Sequence, residues 1–192
     1  MVDASGDREI SSRDALLDAA IRLISDRPPS VVTGRELAEE AGVNYGLVHY
    51  YFESSGDLVK EARLRHGSRL VEETMVGGTR TIPVEQTISD REIFGFAANM
   101  ALEGAYDDDD VTRPVFDAML RMVVDADPGG DPVHHRATVA TIVLLQLGWP
   151  VFVEHNVQGL GLDSNADGEL IREKFFVVLQ SLYRSVGLEV DW

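Results

Sequence analysis

Thr33-Gly34-Arg35-Glu36-Leu37-Ala38-Glu39-Glu40-Ala41-Gly42-Val43-Asn44-Tyr45-Gly46-Leu47-Val48-His49-Tyr50-Tyr51-Phe52 is the stretch that decides the fold. Thr33 is followed three residues later by Glu36, the spacing of a capping box: the hydroxyl accepts from an unpaired helix amide and the carboxylate reaches back to the cap amide. Val32 and Leu37 occupy the two positions of a hydrophobic staple, so two independent signals start a helix at one residue. Gly42 tolerates the left-handed conformation that often ends a helix. Asn44 is a good cap for the next helix, which the pattern carries from Tyr45 to about Tyr51. Two short helices joined by a turn of three or four residues that contains a glycine form a helix-turn-helix.

Working outward, the apolar residues Leu16, Ala19, Ala20, Leu23 and Ile24 share one face of a preceding helix over 12–26, with Ser11 or Ser12 as its cap and Pro28-Pro29 beyond its end. Met1 to Ile10 reads as a frayed polar tail, with none of the apolar run of a secretory signal. Ser54 and Asp57 start a further capped helix that turns Leu58, Ala62 and Leu70 inward. Composition shifts at Gly77-Gly78 and Pro83, after which helices are expected over 89–106, 112–125, 133–155 and 167–186. No alternating strand pattern and no internal repeat is visible. The expected architecture is all-α, with a DNA-binding unit at 1–54 and a second helical unit at 55–192.

The chain has 192 residues and a formal net charge of -16, from 17 Lys plus Arg against 33 Asp plus Glu. Duplex DNA is a polyanion, so the charge alone argues against a nucleic-acid partner. The acidity is uneven: residues 1–65 hold 8 basic and 12 acidic residues, net -4, and the remainder holds 9 and 21, net -12. The 44% hydrophobic content is enough for a core. Absence of cysteine excludes disulfides, thiol catalysis and Cys-based metal sites, and fits a reducing cytoplasm. The uncharged run after Arg136 contains Thr138, Thr141, Gln146, Gly148 and Pro150, and reads as a buried helix, not a membrane span.

The stretch from Thr33 to Phe52 closely resembles the DNA-binding motif of the TetR family of transcriptional regulators. Leu37-Ala38, Ala41-Gly42-Val43, Gly46, Tyr50 and Phe52 match in type and spacing, and the likeness in sequence covers about residues 12 to 65. The resemblance implies a cytoplasmic homodimer that binds a near-palindromic double-stranded operator, acting as a repressor released by a small-molecule effector, with no catalysis and no cofactor. It assigns DNA contact to Thr33, Arg35, Asn44, Tyr45, Gly46, His49, Tyr50 and Tyr51, with the start of the recognition helix in the major groove. Ser55 stands where the family commonly has a phosphate-binding Lys, and His49 where it commonly has Tyr. Aromatics at helical spacing usually make core, but Tyr45, His49, Tyr50 and Tyr51 cannot all face inward from one short helix. At least two are expected to be exposed.

In the second unit, Phe94, Met100, Phe116, Met119, Trp149 and Phe152 are the candidates to line an effector cavity, although a helical core needs such side chains too. Gly148 and Pro150 are expected to interrupt or kink their helix. The last helix carries two apolar stripes, Ile171-Phe175-Val178-Leu182 and Phe176-Leu179-Tyr183. One stripe suffices against the chain's own core, so the first, with Val143 and Leu147, is assigned to a dimer interface.

Other chemistry is weakly signalled. Asp163 to Gly168 imitates the first half of an EF-hand loop, but its twelfth position is Lys174 where calcium needs a bidentate Glu. A polar loop with Asp167 capping the last helix is the simpler reading. His134, His135 and His155 are expected to be cap or surface residues, because adjacent helical positions diverge by about 100 degrees. Asp107 to Asp110 reads as a solvated loop. No metal site is expected. The competing functional reading is a helical small-molecule-binding protein or enzyme that keeps the motif without operator binding.

Overall fold

The computed structural model describes the backbone of residues 4–75, 91–104 and 109–188, and the side chains of 12–70, 92–104, 113 and 115–188. Among the described residues there are eight α-helices, one 3-10 turn and no strand. In chain order these are α1 (Ala4–Asp26), the 3-10 turn Pro29–Val31, α2 (Gly34–Glu40), α3 (Gly46–Tyr51), α4 (Ser55–Met75), α5 (Arg91–Leu102), α6 (Asp109–Ala126), α7 (Pro132–Gly159) and α8 (Gly168–Ser185). The fold is all-α, with an N-terminal helix-turn-helix followed by a helical domain.

The boundaries follow local chemistry, with four departures from the sequence reading. α1 begins at Ala4, so neither Ser11 nor Ser12 caps it and most of the supposed tail is helical. α5 stops at Leu102, short of Tyr106, because Gly104 turns left-handed (φ +71°) and donates its amide back to Ala101. α6 begins at Asp109, so the end of the acidic run is helical and not loop; Asp107 and Asp108 lie outside the described residues. α7 runs unbroken through Pro150, so of the expected interruption or kink the interruption does not occur. Proline removes one donor, the partner of the Gln146 carbonyl, and the rest of a 28-residue ladder holds the helix. The break at Gly77-Gly78 and Pro83 lies outside the described residues.

Two cores form. The first joins Leu16, Ala20 and Ile24 of α1 to Leu37, Val48, Phe52, Leu58 and Ala62, and reaches Phe96 and Met100 of α5. The second joins Phe94, Val123, Ile142, Phe176, Leu179 and Tyr183. α5 therefore serves both, with neighbouring side chains pointing to opposite sides. Gly95 makes this close approach possible: a Cβ there would lie 2.4 Å from the Ser25 carbonyl oxygen of α1. The first core draws on α4 and α5 as well as α1–α3, so packing is continuous across residue 54.

α7 is long and apolar enough to cross a membrane by length and composition, yet little of that stretch is buried within one chain. Its inward side carries Thr138, Val139, Ile142 and Gln146; its outward side carries Leu144, 72% exposed, and Phe152.

Candidate nucleic-acid interface

The cap predicted at Thr33 forms in full. The Glu36 amide donates to Thr33 Oγ1 at 3.3 Å, and the Thr33 amide donates to Glu36 Oε2 at 2.9 Å. Arg27 closes the unit with an ion pair to Glu36 Oε1 at 2.8 Å. These hydrogen bonds, led by the Thr33 amide, hold the Glu36 carboxyl down at about 2. Thr33 remains exposed, but its hydroxyl also donates to Glu36 Oε2 at 2.7 Å, so it is committed to the cap. Val32 and Leu37 meet in the first core as the staple requires.

α2 ends in a turn where Gly42 takes φ +67° and the Val43 amide reaches the Ala38 carbonyl at 2.9 Å. The Asn44 side-chain oxygen then accepts the Gly46 amide at 2.8 Å, opening α3 one residue later than the sequence reading placed it. The Asn44 side chain is exposed. Val48 and Phe52 are buried and fix α3 against the first core.

What α3 presents outward is aromatic and uncharged. Tyr45 is 40% and Tyr50 66% exposed; His49 is exposed and Tyr51 half-buried. Tyr45 Oη and His49 Nε2 are 3.0 Å apart, and their rings meet edge-on at 5.1 Å. Tyr50 and Tyr51 make a second edge-on pair at 5.0 Å. The Arg35 guanidinium sits 6.0 Å from the Tyr45 ring, placing a cation beside the polar row. The other nearby cations are largely engaged with carboxylates: Arg13 with Glu61, Arg22 with Glu40, Arg65 with Asp14 and Asp18. Of the predicted DNA residues, Arg35, Asn44, Tyr45, Gly46, His49 and Tyr50 are exposed around the start of α3, whereas Tyr51 packs partly against the first core and the Thr33 hydroxyl is taken by the cap.

Gly34 escaped the sequence reading. A Cβ there would lie 2.8 Å from Ser55 Oγ and 3.0 Å from Tyr45 Cε2, so its lack of a side chain seats the Tyr45 ring. A glycine in the first turn of a helix, a poor position for it by propensity, was the available signal.

In the second unit the candidates divide. Phe94, Met100, Phe116 and Met119 line one cavity of about 110 Å³ between α4, α5, α6 and α7. Val143 and Leu147, assigned to the interface, line it too, because helical geometry turns them inward and Leu144 outward. Trp149 and Phe152 line a separate groove between α7 and α8 with Ile171 and Phe175; the Trp149 and Phe175 rings are 4.3 Å apart. On α8 the stripe Phe176-Leu179-Tyr183 enters the second core, while Val178 is exposed and Leu182 half-buried.

α5 forms one wall of the cavity and also grips the end of α1. Asn99 Nδ2 donates to the Ile24 carbonyl at 2.7 Å and lies 3.3 Å from that of Ser25. The Ser25 hydroxyl lies 2.9 Å from the Glu92 carbonyl. Helix C-termini leave carbonyls without intrahelical donors, and Asn99 satisfies two of them.

The remaining chemistry is structural. Asp163 Oδ1 accepts the amides of Asn165 and Ala166, which lowers its carboxyl below the ordinary range. Asp167 stands at the cap position of α8 without capping it, since its carboxylate turns back to the Asp163 amide at 2.9 Å. His135, expected at a cap or the surface, is buried, with Nε2 3.0 Å from Asp127. Among the described residues no three His, Asp or Glu side chains converge.

Residues 16–62 match the model of bacterial regulatory proteins of the tetR family. Over 47 residues the chain is 47% identical to the HTH-type transcriptional regulator BetI of Rhizobium meliloti, an alignment that covers 24% of this chain and 23% of BetI. The likeness in sequence thus spans about a quarter of that relative. In overall fold the chain superposes on the transcriptional regulator SCO4942 of Streptomyces coelicolor with a TM-score of 0.61 at 18% identity, over 89% of this chain and 97% of that one. A TetR family protein of Vibrio parahaemolyticus covers 85% and 96% with a TM-score of 0.44 and 20% identity. The capped helix-turn-helix with its exposed aromatic row therefore stands within the segment, residues 16–62, that matches the model of bacterial regulatory proteins of the tetR family.

Proposed function

We propose that the protein is a cytoplasmic, ligand-responsive repressor that binds a near-palindromic operator as a homodimer. The observation that carries this reading is the row Asn44, Tyr45, Gly46, His49 and Tyr50, exposed on a helix whose other face is locked by Val48 and Phe52. A monomer gains nothing from three exposed aromatic rings on one short helix, whereas a major groove offers base edges and phosphates to their hydroxyl and imidazole groups. Residues 1–54 act as the reading unit and residues 55–192 as the effector and dimerisation unit.

The exposed side of α7 at Leu144 and Phe152, with Leu170, Val177 and Val178 of α8, supports a partner copy on these two helices. Two recognition helices related by the dimer axis would then enter successive major grooves. The effector acts through α5. A guest that moves the cavity wall also moves the clamp on Ile24 and Ser25, and with it α1, against which the helix-turn-helix packs. An effector that prefers the displaced arrangement lowers operator affinity by linkage.

The test is fluorescence anisotropy with a labelled duplex from upstream of the protein's own gene. Preference for that duplex over a random one, lost on Tyr45→Phe and Tyr50→Ala substitution in a correctly folded dimer, is the expected result. Equal binding to both duplexes sinks the regulator reading and leaves a helical small-molecule-binding protein. Unchanged affinity in both variants means that the recognition face lies elsewhere.

A further inference from the structure

The cavity between α4, α5, α6 and α7 restricts the chemistry of what can fill it. Its volume is about 110 Å³, and a dry cavity of roughly 150 Å³ takes a benzene-sized guest. A single ring is therefore the scale, with further room in an adjoining lobe of about 50 Å³. The two lobes share Phe94 and Met119 as apolar wall, and Gln146 as polar group.

Gln146 is 4% exposed. Its one hydrogen bond among the described residues is the 3.3 Å contact from Nε2 to Tyr183 Oη. A carboxamide carries two N–H donors and an oxygen with two lone pairs, so a single long contact leaves most of that capacity unused. A guest that bonds the rest of the carboxamide gains hydrogen bonds that the apolar walls do not offer. Among the described residues the lining contains no carboxylate, in a chain with 33 acidic residues, so a cationic guest would find no counter-charge there. The basic lining residues, Arg63 and His66, are both on α4 and both engaged elsewhere, His66 Nε2 lying 3.0 Å from the Ile93 carbonyl, so an anion seated at Gln146 would have the amide as its partner. An anion hydrogen-bonded to an amide is a poor exchange for its lost hydration.

We propose that this cavity takes a compact uncharged compound, one ring or its equivalent, whose single hydroxyl group hydrogen-bonds the Gln146 carboxamide. The assignment rests on the ligand-responsive reading above, and it names the class of effector.

Four probes of nearly equal shape separate the possibilities: 4-methylphenol, p-xylene, 4-methylbenzoate and 4-methylbenzylammonium, each titrated into the full chain by calorimetry. The expected result is 4-methylphenol binding about five- to tenfold more tightly than p-xylene, the worth of one net hydrogen bond. Gln146→Leu brings that ratio close to one while p-xylene still binds. Ala97→Leu, which adds bulk from the α5 wall, weakens both and serves as the second variant should Gln146→Leu not fold. Equal affinity of the first two probes in the parent, a ratio that survives Gln146→Leu, preference for either ion, or no binding at all overturns the assignment. Operator anisotropy with and without 4-methylphenol separates it from the regulatory reading: tight binding with no change in operator affinity sinks the effector role and leaves the ligand class standing.

Discussion

Replacing Gly95 by alanine should destabilise the protein, although alanine is the better helix former. In an open helix interior the change would gain about 0.5–1 kcal/mol. Here the new methyl would stand 2.4 Å from the Ser25 carbonyl oxygen and 3.2 Å from its carbon. Both are backbone atoms of α1, so no side chain can swing away. Restoring ordinary contact near 3.5 Å requires α5 and α1 to separate by about 1 Å. Overpacking of this kind costs about 1–3 kcal/mol. The same separation stretches the 2.7 Å bond from Asn99 to Ile24 and the 2.9 Å contact of Ser25 with Glu92, each worth about 1 kcal/mol. The balance is a net loss of about 2–3 kcal/mol. Urea unfolding followed by circular dichroism measures it, with Gly56→Ala as the control, since a Cβ at Gly56 meets nothing closer than Ser54 Oγ at 3.4 Å. A Gly95→Ala protein as stable as the parent would refute the claim that α5 is held against the α1 backbone.

The other expectations concern the reading head. Thr33→Ala removes the hydroxyl half of the capping box and should cost about 1 kcal/mol in the same unfolding assay; no change would show that the Arg27–Glu36 pair alone fixes the start of α2. Because Glu36 sits at about 2 in the fold, against an ordinary 4.5, the unfolded chain binds its proton first as pH falls. The stability this carboxylate supplies is complete above about pH 5 and is lost between roughly pH 4.5 and 2. Glu36→Gln should therefore flatten stability against pH across that window, and parallel curves for parent and variant would contradict it. Operator affinity should fall with salt less steeply than expected for six to ten phosphate contacts, because 42–52 carries no Lys, Arg, Asp or Glu. A slope near that of such a protein would locate the binding energy in cations outside α3.

The helix-turn-helix was legible because its signals are local. The Thr33 to Glu36 box, the left-handed Gly42 and the Asn44 bond to Gly46 each close within a few residues, so their geometry follows from spacing alone. Sidedness in the second unit was less legible. The sequence separates the two stripes of α8 but does not say which faces inward, and on α7 it led to Val143 and Leu147 as interface residues when they turn to the cavity. Trp149 and Phe152 have the same composition signal as Phe94 and Met119, yet line a different groove.

By itself, then, the sequence determined the all-α class, the reading head with its caps, and the uncharged character of the recognition face. It also placed most of the acidity behind that face. The tertiary structure decided which apolar side chains meet, that Gly34 makes room for Tyr45, and that Gly95 and Asn99 tie the cavity wall to the end of α1. The physical reason is range: a cap or turn is settled by bonds between near neighbours in the chain, whereas a cavity exists only where helices far apart in sequence fail to fill the space between them.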